Sequence, residues 1–120
     1  MTARQKADAE ERRLELFRSV NWTCPVCREP LARHGTAQLA HRVPRRESML
    51  MKWGPEVVND PLNMVPVCSL PCNDAVSLGT VSVPSKALLE RIVRIQTGRE
   101  SMPNLGDYYR SVGQEVRDKR

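Results

Sequence analysis

The chain has 120 residues, with 19 Lys or Arg against 14 Asp or Glu for a net charge of +5, and only one Phe, two Trp and two Tyr. A chain of this length buries about two thirds of its extended surface. With so few aromatics its core must rest on Leu, Val, Ile and Met, so something besides apolar burial is expected to hold the fold. No apolar run approaches the length of a membrane span, and the opening stretch MTARQKADAEERRLELF is charged throughout. Both features speak against a transmembrane helix and a signal peptide, and give a reducing cytoplasm as the expected setting.

Residues 3–19 read as a helix, with Ala3, Ala7, Leu14 and Phe17 recurring at helical spacing and Glu and Arg on the other faces. NWTCPVCREPL follows as a tight cysteine turn. The alternation in Thr36 to Val43 predicts a strand, ended by Pro44. Arg45 to Pro61 reads as irregular, with KWGPE and NDP as turn signals, and LNMVPVC predicts a second short strand. A short helix is expected from NDAVSLG, directly after Cys72. Pro84 to Gln96 is a clearer helix, with Leu88, Leu89, Ile92 and Ile95 on one side, Pro at the entrance and Gly98 beyond the exit. Residues 103–118 predict a last helix with a basic end.

Two cysteine pairs, Cys24-x2-Cys27 and Cys68-x3-Cys72, are the strongest pattern in the chain. In a reducing compartment they are better read as a metal site than as disulfides: two knuckles presenting four thiolates to one tetrahedral zinc ion. The ion would close the long loop between the pairs and offset its entropy. Charge is unevenly spread. Residues 24–53 hold six Lys or Arg against two Glu, whereas residues 54–80 hold three acids and no Lys or Arg. A phosphate-binding site and a solvated basic surface both fit that concentration.

The stretches LAHRVPRR, PLNMVPVC and CND resemble the HNH nuclease family in its zinc-ribbon form, over residues 22–80. The resemblance implies an α+β fold. A ββα-metal (HNH) hairpin would be clamped by a four-cysteine zinc ribbon in one domain of residues 1–120, with an N-terminal helix in 1–21 and a C-terminal helical extension in 81–120. The family positions read His41, Asn63 and Asn73, an H-N-N variant. The function implied is a metal-dependent DNA endonuclease leaving 5′ phosphate and 3′ hydroxyl ends. As in phage and prophage relatives, it would nick one strand per active site, so that a monomer nicks and a homodimer cuts both strands.

Each position also has its own chemistry. His41 is the expected general base, since an imidazole, with an unperturbed pKa of about 6.5, is the side chain best suited to take a proton from water near pH 7. An amide at Asn63 could orient that base without charging it. Asn73 is expected as a hard oxygen ligand of a catalytic Mg²⁺ or Mn²⁺, with a helix N-cap as the competing reading. Ala40 stands where family members often carry an Asp or His ligand, so a carboxylate must contribute, Asp74 ahead of Glu47 and Asp60. Arg42, Arg45 and Arg46 are the expected phosphate contacts. His34, Trp22 and Trp53 read as surface or packing residues. The alternative is a zinc-ribbon nucleic-acid-binding module with a decayed nuclease motif; a zinc-organised protein-interaction domain is a third reading.

Overall fold

The computed structural model describes residues 2–119. Helix α1 (Ala3–Ser19) opens with a capping box, in which the Thr2 hydroxyl accepts from the Gln5 amide and the Gln5 side chain accepts from the Thr2 amide. Its core face is set by Leu16 and Phe17, continued by Val20, while Ala3 and Ala7 are exposed. The stripe thus lies lower on the helix than the Ala spacing predicts, because only its C-terminal half meets the core.

The cysteine turn is closed by backbone bonds from Cys24 N to Glu29 O and from Arg28 N to Cys24 O, both 2.8 Å, and by a bridge between Thr23 and Pro30. Strands β1 (Gln38–His41) and β2 (Met64–Val67) pair antiparallel, with Gln38 opposite Val67 and His41 opposite Met64. The first strand is shorter than the predicted Thr36–Val43. Beyond His41 both backbone groups of Val43 bond the Asn63 side chain instead of a partner strand.

The segment between the strands is not irregular, as Arg45 to Pro61 was expected to be. It holds helices α2 (Glu47–Trp53) and α3 (Pro55–Val58) and a 3-10 turn at Pro61–Asn63. Met49, Trp53 and Val57, four residues apart, face a common core, and Gly54 at φ 87° breaks the helix between them. Helix α4 (Leu70–Val76) packs on β1, α5 (Val83–Gln96) covers the α2–α3 segment, and α6 (Leu105–Asp118) runs back over α1 and α4. Helix α5 is capped by the Ser82 hydroxyl and buries Leu88, Leu89 and Ile92.

Two apolar clusters result. One gathers Phe17, Val26, Leu31, Ala40, Val65, Val67 and Tyr109 around three of the cysteines; the other gathers Val43, Val58's neighbour Val57, Leu62, Leu89 and Ile92. Tyr108 and Tyr109 join them at α6. Their hydroxyls donate to Leu62 O at 2.6 Å and Pro61 O at 2.8 Å, pinning the turn ahead of β2, and burial raises the pKa of both phenols. At Gly113 a β-carbon would collide with the Pro25 carbonyl, so α6 passes the cysteine turn at backbone contact.

Asn63 is fully buried, and its amide makes three bonds: Oδ1 accepts from Val43 N at 2.8 Å, and Nδ2 donates to Val43 O at 3.1 Å and Val58 O at 2.8 Å. Asn63→Ala would orphan all three backbone groups. The expected loss is about 3 kcal/mol or more, read from the urea midpoint. An unchanged midpoint would show that the brace carries no stability.

Candidate metal centre and histidine site

The four cysteine sulfurs, from the turn before β1 and the β2–α4 junction, lie within 4.8 Å of one another. Cys27 and Cys68 are 3.4 Å apart and Cys68 and Cys72 3.9 Å, far beyond a disulfide and close to the edge of about 3.8 Å expected for a tetrahedron with bonds of about 2.3 Å. The thiols are unpaired; Cys24, Cys68 and Cys72 are buried and Cys27 is exposed. They are placed to bind one metal ion such as zinc.

The metal-free electrostatics agree with that donor set. Burial, followed by the charge of Cys24, pushes the Cys72 thiol up to about 12 against a lowering bond with Ser69. Burial also raises Cys27. Burial opposes ionisation of Cys68 too, but hydrogen bonding with Ser69 and the neighbouring thiols brings its pKa below the usual value. Burial thus works against ionisation at three of the four thiols, and a divalent cation would supply the missing stabilisation while displacing protons.

The second feature is at the end of β1. His41 Nε2 lies 2.9 Å from Asn59 Oδ1, the residue that closes α3. An amide oxygen only accepts, so Nε2 carries the proton and Nδ1 keeps the free lone pair. Asn63, expected to orient this imidazole, does not touch it; all its partners are backbone groups of Val43 and Val58. Asn59 was missed because an amide after a short helix looks like an ordinary turn residue, and only the return of the chain from α3 brings it to His41.

Asn73 stands inside α4, four residues beyond Ser69 at the N-cap position, so the N-cap reading fails. Its Nδ2 donates to Gln38 Oε1, leaving its own Oδ1 unengaged. Along β1, Gln38 and Ala40 share one face while Leu39 and His41 share the other. Asn73 thus meets the hairpin on the face opposite His41. Ala40 is fully buried in the core beneath α4.

Among the carboxylates, Asp74 and Glu47 are exposed. Asp60 is buried and engaged: Oδ1 accepts from Leu62 N and Oδ2 from Gln96, which makes it a cap of the 3-10 turn and removes it as a ligand candidate. Among the described residues the four cysteines are the only group of three or more His, Cys, Asp or Glu that converge in this way.

The arginines divide. Arg42 is buried, donating to Val76 O at 3.2 Å and pairing with Glu115 at 3.2 Å, so it ties β1 to α4 and α6 and does not face solvent as a phosphate contact would. As the residue after His41 it points to the opposite, core side. Arg45 and Arg46 are exposed before α2 and make no ion pair among the described residues. His34 is exposed, and Trp53 packs in the second cluster, whereas Trp22 is 47% exposed and tilted against Phe17. No helix among the described residues is long and apolar enough to cross a membrane. No family model matches the chain, and no curated protein or solved structure matches it either.

Proposed function

We propose that this chain is a metal-dependent DNA endonuclease organised by a structural zinc ion, with His41 as general base. The observation that supports the reading is the His41–Asn59 hydrogen bond, which holds the ring in one orientation and leaves Nδ1 as its basic nitrogen. His41 would take a proton from water as the oxygen attacks phosphorus in line with the leaving 3′ oxygen. Exposed Arg45 and Arg46 would contact the phosphodiester backbone. A Mg²⁺ or Mn²⁺ ion would neutralise charge on the phosphate; Asn73, on the opposite face of the hairpin, is not placed to hold that ion beside His41.

One set of observations favours a second reading, a non-catalytic zinc-ribbon module that binds nucleic acid: Ala40 is buried, and Asn73 lies across the hairpin from His41. The two readings separate on supercoiled plasmid incubated with Mn²⁺ or Mg²⁺. Open circles from the wild type and none from His41→Ala are expected of the nuclease. Intact plasmid from folded, zinc-loaded protein that still shifts DNA at low salt would establish the binding module.

A further inference from the structure

A cavity of about 530 Å³ lies between the cysteine turn and α6. Arg28 of the turn and Arg110, Gln114 and Arg117 of α6 line it together with Cys24, and no carboxylate among the described residues does. The helix comes this close because the positions that meet the neighbouring backbone are glycines. A β-carbon at Gly106 would collide with Ser19 O, and one at Gly113 with Pro25 O. Arg110 and Arg117 each follow one of these glycines by four residues, on the same face of α6, so the close approach carries both to the cavity.

Charge is not balanced there. Arg117 Nη1 donates to Pro25 O at 2.6 Å and Val26 O at 3.2 Å, the carbonyls between Cys24 and Cys27, and its Nη2 donates to Gln114 Oε1. Those acceptors are neutral, so they fix the guanidinium and leave its charge uncompensated. Arg110 pairs with Asp107, an exposed side chain one turn back on the helix. Arg28 is exposed and makes no ion pair among the described residues. Its φ is 66°, in the left-handed region that Gly enters freely and Arg enters under strain. The turn does not itself require an arginine in that conformation. Trp22, 47% exposed, stands in the chain between Asn21 and Thr23, which also line the cavity, and an exposed aromatic beside clustered arginines suits a nucleic acid better than a free anion.

We propose that this cavity is a phosphate-binding site for the DNA backbone, in which Arg28 and Arg110 bind the phosphate oxygens and Arg117, pinned to the turn, adds its charge. The site rests on DNA binding, which both readings of the function share, and not on cleavage. A planar guanidinium presents paired N–H donors to two phosphate oxygens, which fixes the backbone as well as neutralising it.

The test measures the affinity of the zinc-loaded protein for a labelled DNA duplex, without added divalent ions, in wild type, Arg28→Gly, Arg28→Lys, Arg110→Ala and Lys6→Ala. Gly suits the left-handed position and Ala suits a helix, so the fold is expected to survive both arginine deletions, as thermal melting checks. Each should weaken binding about three- to tenfold at low salt and lower the slope of log affinity against log salt by about one. Arg28→Lys should stay near wild type, and Lys6→Ala, which removes a charge from the exposed face of α1, should do less. Wild-type affinity in both arginine deletions, or an equal loss in Lys6→Ala, would overturn the site and leave DNA binding standing. A loss of zinc affinity in place of DNA affinity, read by chelator competition, would make these arginines counter-charges of the metal centre and overturn it too. So would a melting temperature raised by inorganic phosphate with duplex affinity unchanged by the deletions, which would put free phosphate in the cavity. No duplex binding by the wild type at low salt would overturn both this site and the proposed function.

Discussion

Chelating the ion from the four-cysteine cluster is expected to abolish the cooperative unfolding transition of this protein. Three of the four cysteines lie in the apolar cluster that also holds Phe17, Val65 and Tyr109, so the metal site and the core are one structure. An ion bound there would join the turn before β1 to the β2–α4 junction, 41 residues apart between Cys27 and Cys68, and would close the loop that contains both strands. Apparent binding energies of structural zinc sites, about 10–16 kcal/mol, match or exceed the whole stability of a small domain, about 5–15 kcal/mol. Without the ion, four thiols remain packed together, with Cys72 pushed up to about 12 by burial and by Cys24.

Cys72→Ser should accordingly lose bound zinc and the thermal transition. Cys27→Ser, altering the exposed ligand, should lose zinc affinity with a smaller loss of secondary structure. Metal content by atomic emission and melting followed by circular dichroism check both. A chelated protein that melts as the untreated one does would show that apolar packing alone holds the fold.

Replacing His41 by Ala is expected to lower plasmid cleavage by about 10²–10⁴-fold, the usual worth of a positioned base. Because the ring is held by Asn59 Oδ1, variants at Asn59 should act through it. Asn59→Leu removes the acceptor and should lower kcat with little change in duplex affinity. Asn59→Asp puts a carboxylate beside the imidazole, which favours the charged ring and raises its pKa. The base must be neutral to accept a proton, so the acidic limb of the rate profile should move to higher pH. In a His41→Ala background neither Asn59 variant should have any further effect. Additive losses would mean that Asn59 works independently of the histidine.

What sequence made legible was local. The cysteine spacing points to a cluster whose four sulfurs do converge, and the apolar period of Leu88, Leu89 and Ile92 marks α5 to within a residue. Helices α2 and α3 were hidden because Gly54-Pro55 interrupts a stripe that only α5 unifies, with Met49 and Trp53 before the break and Val57 after it. The partner of His41 was hidden for a different reason. Asn59 and Asn63 are chemically identical and four residues apart, and the backbone alone decides that one reaches the imidazole while the other braces Val43 and Val58. Arg42 was readable in principle: the residue after a strand histidine faces the other way, here into Glu115.

The measurement that bears most directly on the histidine site is the tautomer of His41, read from long-range proton–nitrogen correlations of the zinc-loaded protein above the pH at which the ring is neutral. The structure predicts a proton on Nε2, bound to Asn59, with Nδ1 bare. The Asn59→Leu protein should show a mixture. A proton on Nδ1 in the wild type would leave the base facing Asn59 and contradict the assignment of His41 as the group that activates water.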